Sequence, residues 1–144
     1  MKFVLLSKEF YEKYNGYREI LQKKDRPYCV ILLKLDDINI AIPLRSHIKH
    51  RYAFLTNKKM RAGLDYTKAV IVNLDSDIDK TRRAFIRSDE YKELLGKEYL
   101  IKKGFLRFLK KYKRALIKPD LPENKYLVEA SSLQYFKEEI VHIK

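Results

Sequence analysis

"YCVILLKLDDINIAIPL", residues 28–44, decides the fold. Two apolar runs flank the pair Asp36-Asp37. Tyr28 to Leu35 is rich in aliphatic and β-branched side chains, which marks a buried strand. Ile38 to Leu44 places Ile38, Ile40 and Ile42 on one face by strict alternation. Two aspartates between such runs form a turn, so the stretch reads as an antiparallel hairpin. Pro43 has no N–H to give, which predicts that the second strand leaves the ladder there or lies at an edge.

Working outward, "KFVLL" (2–6) reads as a first strand, and Ser7 reads as the N-cap of a helix over 8–24. That helix carries Phe10, Tyr14, Tyr17 and Leu21 at helical spacing. Gly16 weakens it and Pro27 ends it. Downstream, 51–56 reads as a strand, "NKKMRAG" (57–63) as a basic loop, 66–74 as a strand, and 75–88 as turns around a short strand. Ser88 reads as the cap of a helix that stops at Gly96. The segment 97–118 is a long amphipathic helix. Ile101, Phe105, Phe108, Tyr112 and Leu116 form its apolar stripe. Residues 118–125 read as a linker and "YLVEA" (126–130) as a last strand. Ser131 with Gln134 reads as a capping box for a final helix. Strands first and helices later predict an α+β domain: a compact, twisted, mostly antiparallel sheet with about four helices.

The chain has 144 residues, which suits a single domain spanning 1–144. Its 32 Lys and Arg against 19 Asp and Glu leave a formal charge of +13, and a domain this basic meets polyanions, nucleic acid above all. A single cysteine, Cys29, excludes an internal disulfide and a Cys-rich zinc site. No apolar run approaches the roughly 18 residues of a membrane span. A soluble, cytoplasmic protein with no membrane partner is the expectation.

The chemistry concentrates in "IPLRSHIKH" (42–50). Arg45, Ser46, His47, Lys49 and His50 gather a hydroxyl, two imidazoles and two cations with no carboxylate among them. Phosphate-loop and dinucleotide glycine motifs are absent, as is HExxH, so no cofactor or metal is expected. RNA brings its own nucleophile, the 2′-hydroxyl. Cleaving it takes a base, an acid for the 5′-oxygen, and donors for the crowded phosphorane. Imidazole, hydroxyl, ammonium and guanidinium groups cover these roles. Plain phosphate binding by the same loop is the competing use. Tyr28, Tyr52 and Tyr66 sit at strand ends, where they either stack on unpaired bases or fill the core. Lys58, Lys59 and Arg61 in the basic loop are candidate backbone contacts. So are Lys103, Arg107, Lys110, Lys111 and Arg114 on the long helix.

"RPYCVILLKLDDINIAIPLRSHIKHRYAF" (26–54) followed by "AGLDYTKAVIV" (62–72) resembles the toxins of type III toxin–antitoxin systems, the ToxN/AbiQ superfamily, in particular its CptN and TenpN branches. The resemblance implies a Kid/MazF-like β core and a metal-independent endoribonuclease that halts growth by cutting cellular RNA. It leaves 2′,3′-cyclic phosphate and 5′-hydroxyl ends. It also implies a pseudoknotted antitoxin RNA, processed by the toxin from a repetitive precursor, that fills the active site in an RNA-bridged hetero-oligomer and serves phage defence. Pro43, Leu44 and Ser46 match the family's Pro-Leu-[Thr/Ser]-Ser-x-Lys motif. Arg45 stands where threonine is common. Ile48 takes the lysine position, which leaves that role to Lys49 or to a histidine. Arg26 matches a basic residue typical before the second strand, and Tyr66 and Lys68 lie in the second shared block. Two rivals are a non-catalytic RNA-binding protein and a basic adaptor for acidic protein partners.

Overall fold

The computed structural model describes residues 1–21 and 28–144. The expected phosphate ligand Arg26 and the helix break at Pro27 lie outside the described residues. The rest is an α+β fold: a seven-stranded antiparallel sheet with five helices among the described residues.

The 28–44 hairpin is its centre. β1 (Lys2–Leu6), β2 (Cys29–Leu35) and β3 (Ile38–Arg45) pair in sequence, with β2 and β3 in unbroken register from Leu35↔Ile38 to Val30↔Pro43. Asp36 and Asp37 have φ of 47° and 66°. Two consecutive left-handed residues define the I′ hairpin turn, whose twist matches that of the strands, and Asp tolerates this region better than most residues. β3 continues past Pro43, but its outer ladder breaks there, as the proline predicts. The proline is tolerated because the outer ladder is interrupted there: Asn39 to Ala41 pair with β6 (Val70–Val72), whereas Leu44 and Arg45 pair with β5 (Ala62–Asp65). β4 (Ala53–Asn57) closes that end on β5, and β7 (Ile78–Asp79) pairs β1 at the other.

Several expectations are corrected. The first helix, α1 (Lys8–Lys13), is capped by the Ser7 side chain as predicted but ends at once, and Gly16 at φ 86° turns the chain away. The 57–63 loop yields its last residues to β5. The strand read over 66–74 starts four residues late, because the Asp65 carboxylate accepts the Thr67 N–H and winds Tyr66–Lys68 into a 3-10 turn. α2 (Ser88–Leu94) is entered from Arg87, so Ser88 is not its cap. The segment read as a linker and strand is α4 (Pro122–Ala130), with Pro122 in its first turn, where a missing N–H costs nothing. Ser131 caps a 3-10 turn over Ser132–Tyr135 instead of a long helix, and Gln134 donates to the Ser131 carbonyl; α5 is only Lys137–Ile140.

α3 (Glu98–Ile117) carries the predicted stripe: Ile101, Phe105, Phe108 and Tyr112 are buried, joined by Leu109 and Ala115. Phe105 and Phe108 pack on the Tyr66 ring, and the Tyr66 hydroxyl donates to the Ile101 carbonyl at 3.0 Å. This seats the helix against the β4–β5 end of the sheet. Gly104 permits the approach, since a Cβ there would sit 2.4 Å from the Tyr66 oxygen. In an unobstructed helix, Gly→Ala adds about 1 kcal/mol of stability. Here Gly104→Ala is expected to lower it by about 1–3 kcal/mol through overpacking. Chemical denaturation measures this directly, and a stabilised variant would mean that Tyr66 does not hold the helix seat.

Candidate nucleic-acid interface

The loop 46–52 joins β3 to β4 and is lashed to the β4–β5 turn. The His47 and Ile48 N–H groups donate to the Met60 and Arg61 carbonyls at 3.2 and 2.9 Å. Arg61 reaches back, its Nε donating to the Ile48 carbonyl at 3.0 Å and its Nη2 to the His50 carbonyl. Ile48 is buried at 2% exposure and plugs the loop into the core. The position that the sequence pattern reserves for lysine is therefore an anchor here. Arg61, expected to grip RNA, is a strut of the loop.

The two ends of the loop converge on one carboxylate. Asp65 is fully buried at the end of β5. Arg45 Nη1 donates to its Oδ2 at 2.8 Å, and His50 Nε2 lies 3.0 Å from its Oδ1. Thr67 adds its N–H and its hydroxyl to Oδ1 at 3.0 and 2.6 Å. Burial alone would raise the Asp65 carboxyl. Hydrogen bonds from His50, Thr67 and Arg45 outweigh it and hold the group below its ordinary value. His50 is occupied at both nitrogens, because Nδ1 accepts the Tyr52 N–H at 3.0 Å. A ring held that way positions the loop and has no free edge for proton transfer.

Between these anchors the loop presents Ser46, His47 and Lys49, all three exposed. His47 adopts φ 56°, a left-handed conformation that turns the chain outward between its two backbone bonds. The expected single cluster is thus divided into tethered ends and an exposed middle.

Two clefts flank this loop. The larger, about 730 Å³, runs between β4 and α3. Its cations are Arg51, Arg107, Lys110, Lys111 and Arg114, with no acid in the lining. Tyr52 lies in its wall, half-buried, 5.8 Å from the His50 ring, with the Arg51 and Lys111 charges 5.4 and 5.7 Å from its own ring centroid. The smaller cleft, about 350 Å³, is where Ser46 opens, together with Tyr28, Phe85, Arg87 and Glu90. Ser46 and the α3 cations therefore face different openings.

Most expected helix contacts are exposed in the groove or beside it, Lys103 lying in an adjoining cleft with Lys113 and Lys144. Lys58 and Lys59 are exposed on the β4–β5 turn. Two expected contacts are corrected. Tyr66 is a core residue with its hydroxyl satisfied, so it cannot swing out to stack on a base. Lys68 donates to the Ala130 carbonyl at 2.8 Å, capping the C-terminal end of α4, and burial lowers its ammonium below the usual lysine value.

Sequence reasoning missed Asp65, Thr67, Arg51 and Tyr126. Tyr126 is half exposed on α4, 6.0 Å from the His50 ring. Its hydroxyl is raised by burial first and by the Asp65 charge second. It escaped notice because its segment was read as a strand. Asp65 lay in plain view inside "AGLDYTK", but nothing in the spacing connects it to residues 45 and 50.

No group of three or more His, Cys, Asp or Glu among the described residues is arranged to hold a metal ion, and no described helix is long and apolar enough to cross a membrane. Comparison with protein families, with characterised proteins and with solved structures gives no match.

Removing the buried anion tests the anchor. Asp65→Asn is expected to cost about 3–5 kcal/mol at neutral pH, because Arg45 and His50 lose their shared partner. The folded carboxyl titrates below its unfolded value of about 4, so its stabilisation is present above that pH and is lost as pH falls through the folded value. The gap between wild type and Asp65→Asn in urea unfolding is therefore expected to narrow progressively as pH falls below about 4. A gap constant with pH would show that the charge is not what stabilises the loop.

Proposed function

We propose that the chain is a metal-independent endoribonuclease of the toxin class that residues 26–72 resemble, acting in the cytoplasm and silenced by a structured RNA that its own cleavage releases. The observation that carries this reading is an exposed hydroxyl, imidazole and ammonium on a rigidly lashed loop next to a groove of five cations with no acid. A groove of one sign tracks a phosphate backbone. Tyr52, under two cations, offers a ring face for an unpaired base.

In this mechanism, RNA lies along the β4–α3 groove and crosses the loop. Ser46 hydrogen-bonds the reacting phosphate or the attacking 2′-hydroxyl. His47 takes the proton of the 2′-hydroxyl and passes one to the departing 5′-oxygen, the role that His50 cannot take while both its nitrogens are engaged. The 2′-oxygen attacks phosphorus and the 5′-oxygen leaves, giving a 2′,3′-cyclic phosphate and a 5′-hydroxyl. Lys49 and the solvent-facing part of Arg45 offset charge on the phosphorane. The Kid/MazF-like architecture, the pseudoknotted inhibitor, the cellular mRNA targets, the RNA-bridged assembly and the role in antiviral defence belong to the same proposal.

One observation favours a second reading, a non-catalytic RNA-binding protein: Ser46 opens on the smaller cleft, away from the α3 cations. Incubation with RNA in excess EDTA separates the two. The nuclease reading expects cut products with cyclic phosphate ends, and none from RNA carrying a 2′-deoxy sugar at the cut. Ser46→Ala and His47→Asn, which tolerates the left-handed backbone at 47, are expected to lower the cleavage rate by about 10²–10⁴-fold without changing the melting temperature. His50→Ala is expected to lower the melting temperature as well. Intact RNA in every lane, with binding retained, would leave the binding protein.

The groove makes its own expectation. Lys111→Ala with Arg114→Ala is expected to weaken binding of all RNA sequences alike and to reduce the slope of log affinity against log salt by about one per cation removed. An unchanged slope would move the RNA off this face.

A further inference from the structure

The smaller cleft carries chemistry that backbone binding does not use. Phe85 is 82% exposed, in the stretch 80–87 that forms neither helix nor strand. Met60, on the β4–β5 turn, lines the same cleft and is 46% exposed. Large apolar side chains left in water at the rim of a concave site are stabilised by covering a flat apolar surface. A nucleobase is such a surface, and a thioether packs well on an aromatic ring.

The polar lining is selective. Arg87 is engaged by Asp89 at 3.0 Å, whereas the Glu90 side chain, half-buried in the cleft, makes no hydrogen bond among the described residues. Asn57 Oδ1 accepts the Met60 N–H at 3.0 Å, which leaves its amide NH₂ as a donor. An ionised carboxylate accepts two hydrogen bonds side by side. Guanine offers adjacent N–H donors at N1 and N2 with an acceptor at O6. Adenine and cytosine place an acceptor beside their amino group, and uracil has a single donor between two carbonyls.

We propose that the cleft beside Ser46 is a base pocket for one unpaired guanine of the RNA, stacked between Phe85 and Met60, with Glu90 on its N1 and N2 edge and Asn57 on O6. This rests on the RNA reading above and adds its specificity: the pocket selects the nucleotide at the cut, and the groove holds the backbone.

The test uses four short single-stranded RNAs, uniform in uridine except for one central position filled by G, A, C or U, with 2′-deoxy sugars at the central and adjoining positions so that none is cut. Affinities are measured by fluorescence anisotropy on the full chain, with folding checked by circular dichroism. Wild type is expected to prefer the G oligonucleotide by about 10-fold or more. Glu90→Gln is expected to bring the four affinities within about threefold of one another. Phe85→Ala, at an exposed position that leaves the fold intact, is expected to weaken the G oligonucleotide by about 10-fold. Equal affinity of wild type for all four RNAs, or a guanine preference that survives Glu90→Gln, would overturn the base pocket while leaving the RNA reading in place. Failure to bind any RNA would overturn both.

Discussion

The Asp65 carboxylate is the interaction on which the proposed site depends. Bringing an anion to full burial costs several kcal/mol unless donors surround it. Here Arg45, His50 and two groups of Thr67 do so. Because Arg45 precedes the loop and His50 ends it, satisfying one buried charge fixes both loop ends at once. The four residues between them have little freedom left, and Arg61 with Ile48 removes most of what remains. A catalytic or phosphate-binding loop benefits from this, since groups already in place lose little entropy when the ligand arrives. The same geometry reassigns the imidazoles. His50 serves the fold, and His47 is left facing solvent.

Charge is distributed unevenly around this anchor. α3 bears its cations on the exposed side, and four of them line the β4–α3 groove together with Arg51 and no acid. The smaller cleft mixes both signs, with Asp89 and Glu90 beside Arg45 and Arg87. On the proposed reading, long-range attraction of a polyanion acts through the groove, where fields add, and hydrogen-bond selection acts in the cleft, where a carboxylate accepts donors and repels phosphate. That reading makes affinity and specificity separable on the same surface.

The sheet was legible where alternation and turn chemistry agreed. The 28–44 hairpin, the first strand, the Ser7 cap and the α3 stripe all follow from local patterns that packing reinforces. The misreadings occur where a single side chain overrode the pattern. Asp65 converts a β-favouring segment into a 3-10 turn by capping its own backbone. Gly16 ends a helix whose apolar spacing continues beyond it. "YLVEA" was too short for periodicity to distinguish helix from strand, and the deciding residue, Pro122, lay outside it. The site was legible as a composition, a run of donors and bases. Its division into tethered and exposed groups was not, because that depends on a carboxylate 15 to 20 residues away in sequence.

Asp65 also bears on what kind of chemistry the loop supports. A buried aspartate touching a histidine could serve as a metal ligand, yet Oδ1 already faces the Thr67 N–H, the Thr67 hydroxyl and His50, and Oδ2 the Arg45 guanidinium. For a cation to bind there, Arg45 would have to leave, placing a second positive charge where the guanidinium now sits and freeing the loop end that it holds. Electrostatics and geometry oppose that exchange together. The protein keeps its carboxylate as a counter-charge for its own cations, and that is the arrangement expected where arginine, lysine and imidazole groups are left to meet a phosphate.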